Sequence, residues 1–147
     1  MVFPSSGFLN VLLGIVLDMY NKDFDTWNTI KKKINSIDQP FAYHERDIRY
    51  CNIGTNIGFE EDGKGDFGER PVLVLKGFSK NMAIVLPLTT SKKKNKYYVN
   101  IGIVRGLQAA VIISQIRLID TRRLSNKIAV LGENIFRNIR KAVRNMF

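Results

Sequence analysis

The stretch from Gly63 to Thr90, GKGDFGERPVLVLKGFSKNMAIVLPLTT, constrains the fold of this 147-residue chain more than any other. A loop holding Gly63, Gly65 and Gly68 leads into Arg70-Pro71 and the apolar run Val72-Leu73-Val74-Leu75. A short turn follows, then a second apolar run, Ala83 to Leu88, which ends on Thr89-Thr90. Short apolar runs bounded by Gly, Pro and polar residues read as strands. In an antiparallel pair the start of one strand lies beside the end of the next. An arginine and a hydroxyl are therefore expected side by side, under a flexible glycine loop. Such a pair suits a phosphate, because a guanidinium grips two oxygens at once and stays charged.

The pattern continues through the second half of the chain. Ile48–Ile53, Pro71–Phe78, Ala83–Leu88, Tyr97–Ile101 and Ala109–Ile113 are predicted strands, and Gln115–Ile119 is expected to continue the last. Thr121–Leu124 reads as one helical turn and Lys127–Val130 as a final strand. After Gly132, Ile135, Phe136, Ile139, Val143 and Met146 mark the apolar face of a helix, with Arg137, Arg140, Lys141 and Arg144 on its basic face. Upstream, Phe24, Trp27, Ile30, Ile34 and Ile37 recur at helical spacing. Asp23 or Asp25 is the expected N-cap, and Lys31-Lys32-Lys33 lie toward the end that favours cations. Ser36 to His44 is a linker. Residues 1–18 are an apolar extension, either from an upstream start codon or a buried N-terminal element. At Phe8–Leu17 the run is too short for a bilayer, which needs about 20 apolar residues, and no secretory pattern is visible. Residues 19–45 then form an N-terminal helix and linker, and 46–147 the main domain. Short strands with a terminal helix argue a mainly β (α+β) protein, a small barrel or strongly curved sheet.

Charge is divided unevenly. The chain carries a net charge of +10, but residues 1–60 hold six Lys/Arg against seven Asp/Glu, so all the excess lies in residues 61–147. Such a surface attracts polyanions, although basic surfaces also favour solubility or anionic membranes. The lone cysteine, Cys51, excludes an internal disulfide and reads as a small core residue. With His44 the lone histidine, a Cys/His zinc site and a histidine-pair ribonuclease are both excluded. Chemistry must then fall to Arg, Thr, Ser, Glu, Asp or Lys.

Three segments in order, Asp47-Ile48-Arg49-Tyr50-Cys51-Asn52-Ile53-Gly54, the Arg70-Pro71 hairpin, and Ile113-Ser114-Gln115-Ile116-Arg117-Leu118-Ile119-Asp120, resemble the PemK/MazF family of toxin endoribonucleases. The resemblance implies an SH3-like antiparallel β-barrel of the CcdB/PemK/MazF type, forming a homodimer. It implies a cytoplasmic toxin of a type II toxin-antitoxin system, with no cofactor, metal or membrane, held by a cognate antitoxin with which it binds DNA. The implied reaction is metal-independent cleavage of single-stranded RNA, giving 2′,3′-cyclic phosphate and 5′-hydroxyl ends.

Residue by residue, the resemblance makes Arg70 catalytic, where the bland alternative is a strand-end charge. Thr89 matches the catalytic hydroxyl, with Thr90 one register step away; otherwise it ends the strand. Glu60 matches an acidic position, although Phe59 before it departs from relatives with a small polar residue. Glu60 is expected to activate the ribose hydroxyl, to orient Arg70, or only to pair with a loop lysine. Lys64 in the glycine loop, and Gln115 and Arg117 on one strand face, are candidates to bind RNA. The alternative for Arg117 is an ion pair with Asp120 or Asp47. Lys92, Lys93, Lys94 and Lys96 beside Tyr97-Tyr98 combine charge with rings, as single-strand binders do, or form a solvated hairpin tip. Alternation would bury one tyrosine and expose the other. The rivals are a non-catalytic RNA-binding barrel and a CcdB-like gyrase-targeting toxin. Against the second, the only tryptophan is Trp27 and the chain ends Arg144-Asn145-Met146-Phe147.

Overall fold

The computed structural model describes residues 22–147, so the 1–18 extension lies outside the described residues. Helix α1 (Phe24–Asn35) is followed by strands β1 (Asp47–Asn52), β2 (Glu69–Gly77), β3 (Met82–Thr89), β4 (Tyr98–Val104) and β5 (Leu107–Ile112). Strands β6 (Arg117–Asp120) and β7 (Leu124–Val130) precede helix α2 (Glu133–Arg144). All strand pairs are antiparallel, in the order β4-β5-β3-β2-β1-β7, with β6 also on β3. The sheet is curled into a half-barrel. Register shifts in β1–β7, β2–β3 and β4–β5 sharpen that curl.

The two apolar runs are uninterrupted because β2 and β3 are covered on both faces. Leu73, Leu75, Leu86 and Leu88 face a core closed by Phe136 and Ile139 of α2. Val72, Val74 and Val85 face a second core with Cys51, Ile119 and Leu124. A strand buried on both sides reads as a continuous apolar run, not an alternating one. Pro87, which has no N–H, stands where β3 changes partner, from β6 as far as Val85 to β5 from Leu88.

The expected continuation of the fifth strand through Gln115–Ile119 does not occur. A 3-10 turn at Ile113–Gln115 separates β5 from β6 and lets the chain cross to another part of β3. The turn at Thr121–Arg123 forms as expected. Helix α1 is capped by Asp23, whose carboxylate accepts from the Thr26 N–H at 3.0 Å. Its apolar stripe is only partly used. Trp27 is buried, while Phe24 and Ile37 stay largely exposed. Trp27 lies on Gly54 and under the Arg123 guanidinium, 5.8 Å from its ring centroid.

Gly54 has φ +83°, and a Cβ there would stand 1.9 Å from the Trp27 ring. Gly54→Ala is therefore expected to lower stability by about 2 kcal/mol or more, from left-handed backbone strain plus overpacking. In a Trp27→Ala background only the backbone part should remain, so urea titration of the double-mutant cycle should show a large coupling. Equal losses in both backgrounds would show that α1 does not rest on Gly54.

Candidate functional site

Register brings the expected pair together. Val72 is opposite Pro87, and two further residues along the same register set Arg70 across from Thr89. Both line one cavity of about 460 Å³ with Lys64, Thr90 and Ser91. The Arg70 guanidinium donates to the Asp62 carbonyl at 2.7 Å and the Leu88 carbonyl at 2.9 Å, and meets the Glu61 carboxylate at 2.9 Å. Of the five N–H groups an arginine offers, these contacts leave two for a ligand. Thr89 Oγ1 accepts from the Ser91 N–H at 3.1 Å, which leaves its own proton to donate. Thr90 is exposed at the same rim.

The carboxylate on Arg70 is Glu61, one residue beyond Glu60. The Glu60 side chain instead accepts from the Ile57 N–H at 3.2 Å within its own turn. Both acids line a smaller depression of about 270 Å³ with Gln115 and Arg117. Gln115 splints the loop, accepting from the Glu61 N–H at 3.3 Å and donating to the Phe59 carbonyl at 3.2 Å. Arg117 donates to the Ile53 carbonyl at 3.4 Å. Neither expected acid pairs with it. Asp120 is held by Arg122 at 2.8 Å, and the buried Asp47 lies 3.5 Å from both Arg49 and Lys127.

Lys92, Lys93, Lys94 and Lys96 surround a third depression, which shares Thr90 and Ser91 with the central cavity. Lys96 Nζ stands 4.9 Å from the Tyr97 ring centroid. Tyr97 and Tyr98 are both half-buried, because the strand begins only at Tyr98 and the alternation expected of them does not apply to Tyr97. The ten candidate residues thus fall along three adjoining hollows joined by the Glu61–Arg70 pair and by Thr90-Ser91.

The glycine loop is laced, not slack. Gly54 N–H donates to the Gly68 carbonyl and Gly63 N–H to the Gly54 carbonyl, both at 2.9 Å, and Lys64 pairs with Glu69. Lys22 reaches in from before α1 to the Asp62 carboxylate at 3.0 Å and to the Asn56 and Gly58 carbonyls. Lys22, Glu61 and Asp62 were missed by sequence reasoning, since nothing local marks which acid a distant cation will meet. The pair Tyr50 and Arg105, on the rim of the central cavity, was missed too, although Arg105-Gly106 between two apolar runs is a legible two-residue hairpin.

Behind the site, the Arg123 guanidinium is partly buried and donates to the Asn52 carbonyl at 3.0 Å. Burial and then the nearby Arg117 charge hold its pKa below the usual arginine value. Cys51, opposite Arg70 in the β1–β2 register, is fully buried, and burial pushes its thiol up to about 12. Among the described residues no group of three His, Cys, Asp or Glu is placed to hold a metal ion, and no helix is long and apolar enough to cross a membrane.

Residues 44–147 match the family model described as PemK-like, MazF-like toxin of type II toxin-antitoxin system. No curated protein matches the sequence. Among solved structures, MazF from Deinococcus radiodurans aligns with a TM-score of 0.59 at 20% identity, over 72% of this chain and 96% of that one. An endoribonuclease in complex with its cognate antitoxin, from Mycobacterial species, aligns with a TM-score of 0.55 at 16% identity, over 71% and 93%. Mycobacterium tuberculosis toxin MazF-mt6 gives 0.53 at 18%, over 68% and 94%. At these identities the likeness is one of fold.

The buried thiol supplies a check on the packing behind Arg70. A protonated thiol is a poor nucleophile, so Cys51 should resist a disulfide reagent at pH 8 in the native protein and react at once in denaturant. Rapid native labelling would show that the β1–β2 interior opens readily.

Proposed function

Since the chain belongs to the PemK-like, MazF-like family of type II toxins, we propose that it is a cytoplasmic, metal-independent endoribonuclease that cuts single-stranded RNA. The observation that carries this reading is Arg70 across from Thr89 in one cavity, flanked on one side by the lysine-lined hollow of residues 92–96. The ribose 2′-hydroxyl attacks the adjacent phosphorus, and the bond to the 5′-oxygen breaks, leaving a 2′,3′-cyclic phosphate and a 5′-hydroxyl. Arg70 stabilises the charge on the phosphorane, and Thr89 donates a hydrogen bond to a non-bridging oxygen. An arginine is a poor base near neutral pH. The incoming phosphate displaces Glu61 from the guanidinium, and Glu61 or its neighbour Glu60 takes the 2′-hydroxyl proton; water protonates the leaving oxygen.

Lys64, Gln115, Arg117 and the 92–96 lysines hold the strand on either side. The protein acts as a homodimer, and a cognate antitoxin neutralises it by laying a disordered acidic segment along the lysine-lined hollow and the cavity beside it. Complexes of two of its structural relatives with antitoxins support that part of the reading.

Purified protein incubated with a long RNA in EDTA should cut it, with 5′-hydroxyl ends at every mapped site. Activity that vanishes with chelator and returns with magnesium would sink the mechanism. Arg70→Ala should lower turnover about a hundredfold or more, and Arg70→Lys should restore little because one ammonium lacks the fork. Full activity of Arg70→Ala would move the site elsewhere, and binding without cleavage by the wild type would favour a non-catalytic RNA-binding barrel.

Binding should also depend on salt. Each phosphate contact by a single strand adds roughly −0.7 to the slope of log affinity against log salt. Replacing Lys92, Lys93 and Lys94 by alanine should flatten that slope by up to about 2 and weaken all sequences alike. An unchanged slope would make this loop a solvated tip only.

A further inference from the structure

The central cavity has a second wall that the proposed chemistry does not use. Strands β4 and β5 are joined by the two-residue turn Arg105-Gly106, with Val104 opposite Leu107. Both turn residues have positive φ, 48° and 78°, as a type I′ hairpin requires. Asparagine or glycine is the favoured first residue of such a turn, and an arginine there carries backbone strain. Its guanidinium lies 5.5 Å from the ring centroid of Tyr50, on β1. Both residues line the cavity of Arg70 and Thr89, together with the apolar Val104, Leu107 and Ile128. Among the described residues no carboxylate pairs with Arg105, whereas Arg70 is held by Glu61. The side chain is exposed, so it does not serve the core.

We propose that Tyr50 and Arg105 form a nucleobase subsite for the nucleotide beside the cut phosphate, and that Arg105 selects guanine there. This rests on the ribonuclease reading for its position, though not for its binding chemistry. An aromatic ring and a planar guanidinium give a base a face to stack on. The guanidinium fork matches two acceptors on one edge, and guanine offers both O6 and N7. The strained turn holds that fork over the cavity at a cost in stability, as strained backbone at a functional position does.

The test uses the full chain and labelled oligonucleotides with 2′-O-methyl riboses, which cannot be cut. Four oligonucleotides carry G, A, C or U at one site in an otherwise uniform uridine strand. Wild-type protein should bind the guanine strand at least about fivefold more tightly than the others, the low end for one bidentate base contact. Arg105→Ala and Arg105→Lys should both erase the preference, the lysine variant keeping more of the overall affinity. Arg105→Asn should erase it too while raising Tm, because Asn-Gly relaxes the turn. Tyr50→Leu should weaken all four strands. On cuttable RNA, Arg105→Ala should raise KM, leave kcat within about threefold, and broaden the base found beside the mapped cuts.

Equal affinities for the four strands in the wild type, or a preference that survives Arg105→Ala, overturns the subsite. A lower Tm in Arg105→Asn overturns it as well, since Arg105 would then be a structural residue. Failure of the ribonuclease reading appears separately, as RNA left uncut by the wild type, while the binding series still decides the subsite.

Discussion

The antiparallel register of β2 on β3 is the constraint on which the rest depends. Each strand is buried on both faces, Val72, Val74 and Val85 toward one core and Leu73, Leu75, Leu86 and Leu88 toward the other. A slip of one residue would exchange the two sets, moving leucines into the space shaped for valines. Packing therefore fixes the register, and the register fixes the distance between Arg70 and Thr89. The site's geometry is set by apolar residues that never meet a ligand, and Pro87 ensures that β3 hands over from β6 to β5 beside it.

Above that frame, the loop of residues 54–68 is held by many small contacts. Glu61 sits on Arg70, Gln115 grips the backbone on either side, and Lys22 anchors Asp62. Lys22 lies outside the residues that match the family model, so the loop is tethered from beyond the matched span. An anion reaching Arg70 must compete with a carboxylate already paired there. Exposed pairs of this kind contribute little, but Glu61 and Arg70 are largely screened from water by the laced loop, which makes the exchange more demanding.

Much of this was legible in the residues. The apolar runs, the Thr121–Arg123 turn, the Asp23 cap and α2 are all written in local pattern. Arg70 beside Thr89 was legible because it needs only one hairpin. What escaped depends on contacts distant in sequence. The 3-10 turn at Ile113–Gln115 has no Gly or Pro to announce it, and arises because the chain must move from one part of β3 to another. Helix α1 shows an apolar stripe, yet only Trp27 is fully buried, because the surface that receives it is made by Gly54 and Arg123 from elsewhere. Asp120 and Asp47, the two acids open to Arg117 from the sequence, are instead taken by Arg122 and by Arg49 and Lys127, partners that only the folded sheet brings together.

The pairing of β1 with β7 joins the first strand to the last; the Arg49 side chain reaches the Ser125 carbonyl 76 residues away. Contacts of such long span form late in folding. A ribosome releases its product from the N-terminus, so the outer edge of β1 stays bare until the seventh strand has emerged. The cavity that Tyr50 and Ile128 wall together is therefore closed on that side only once the seventh strand has emerged.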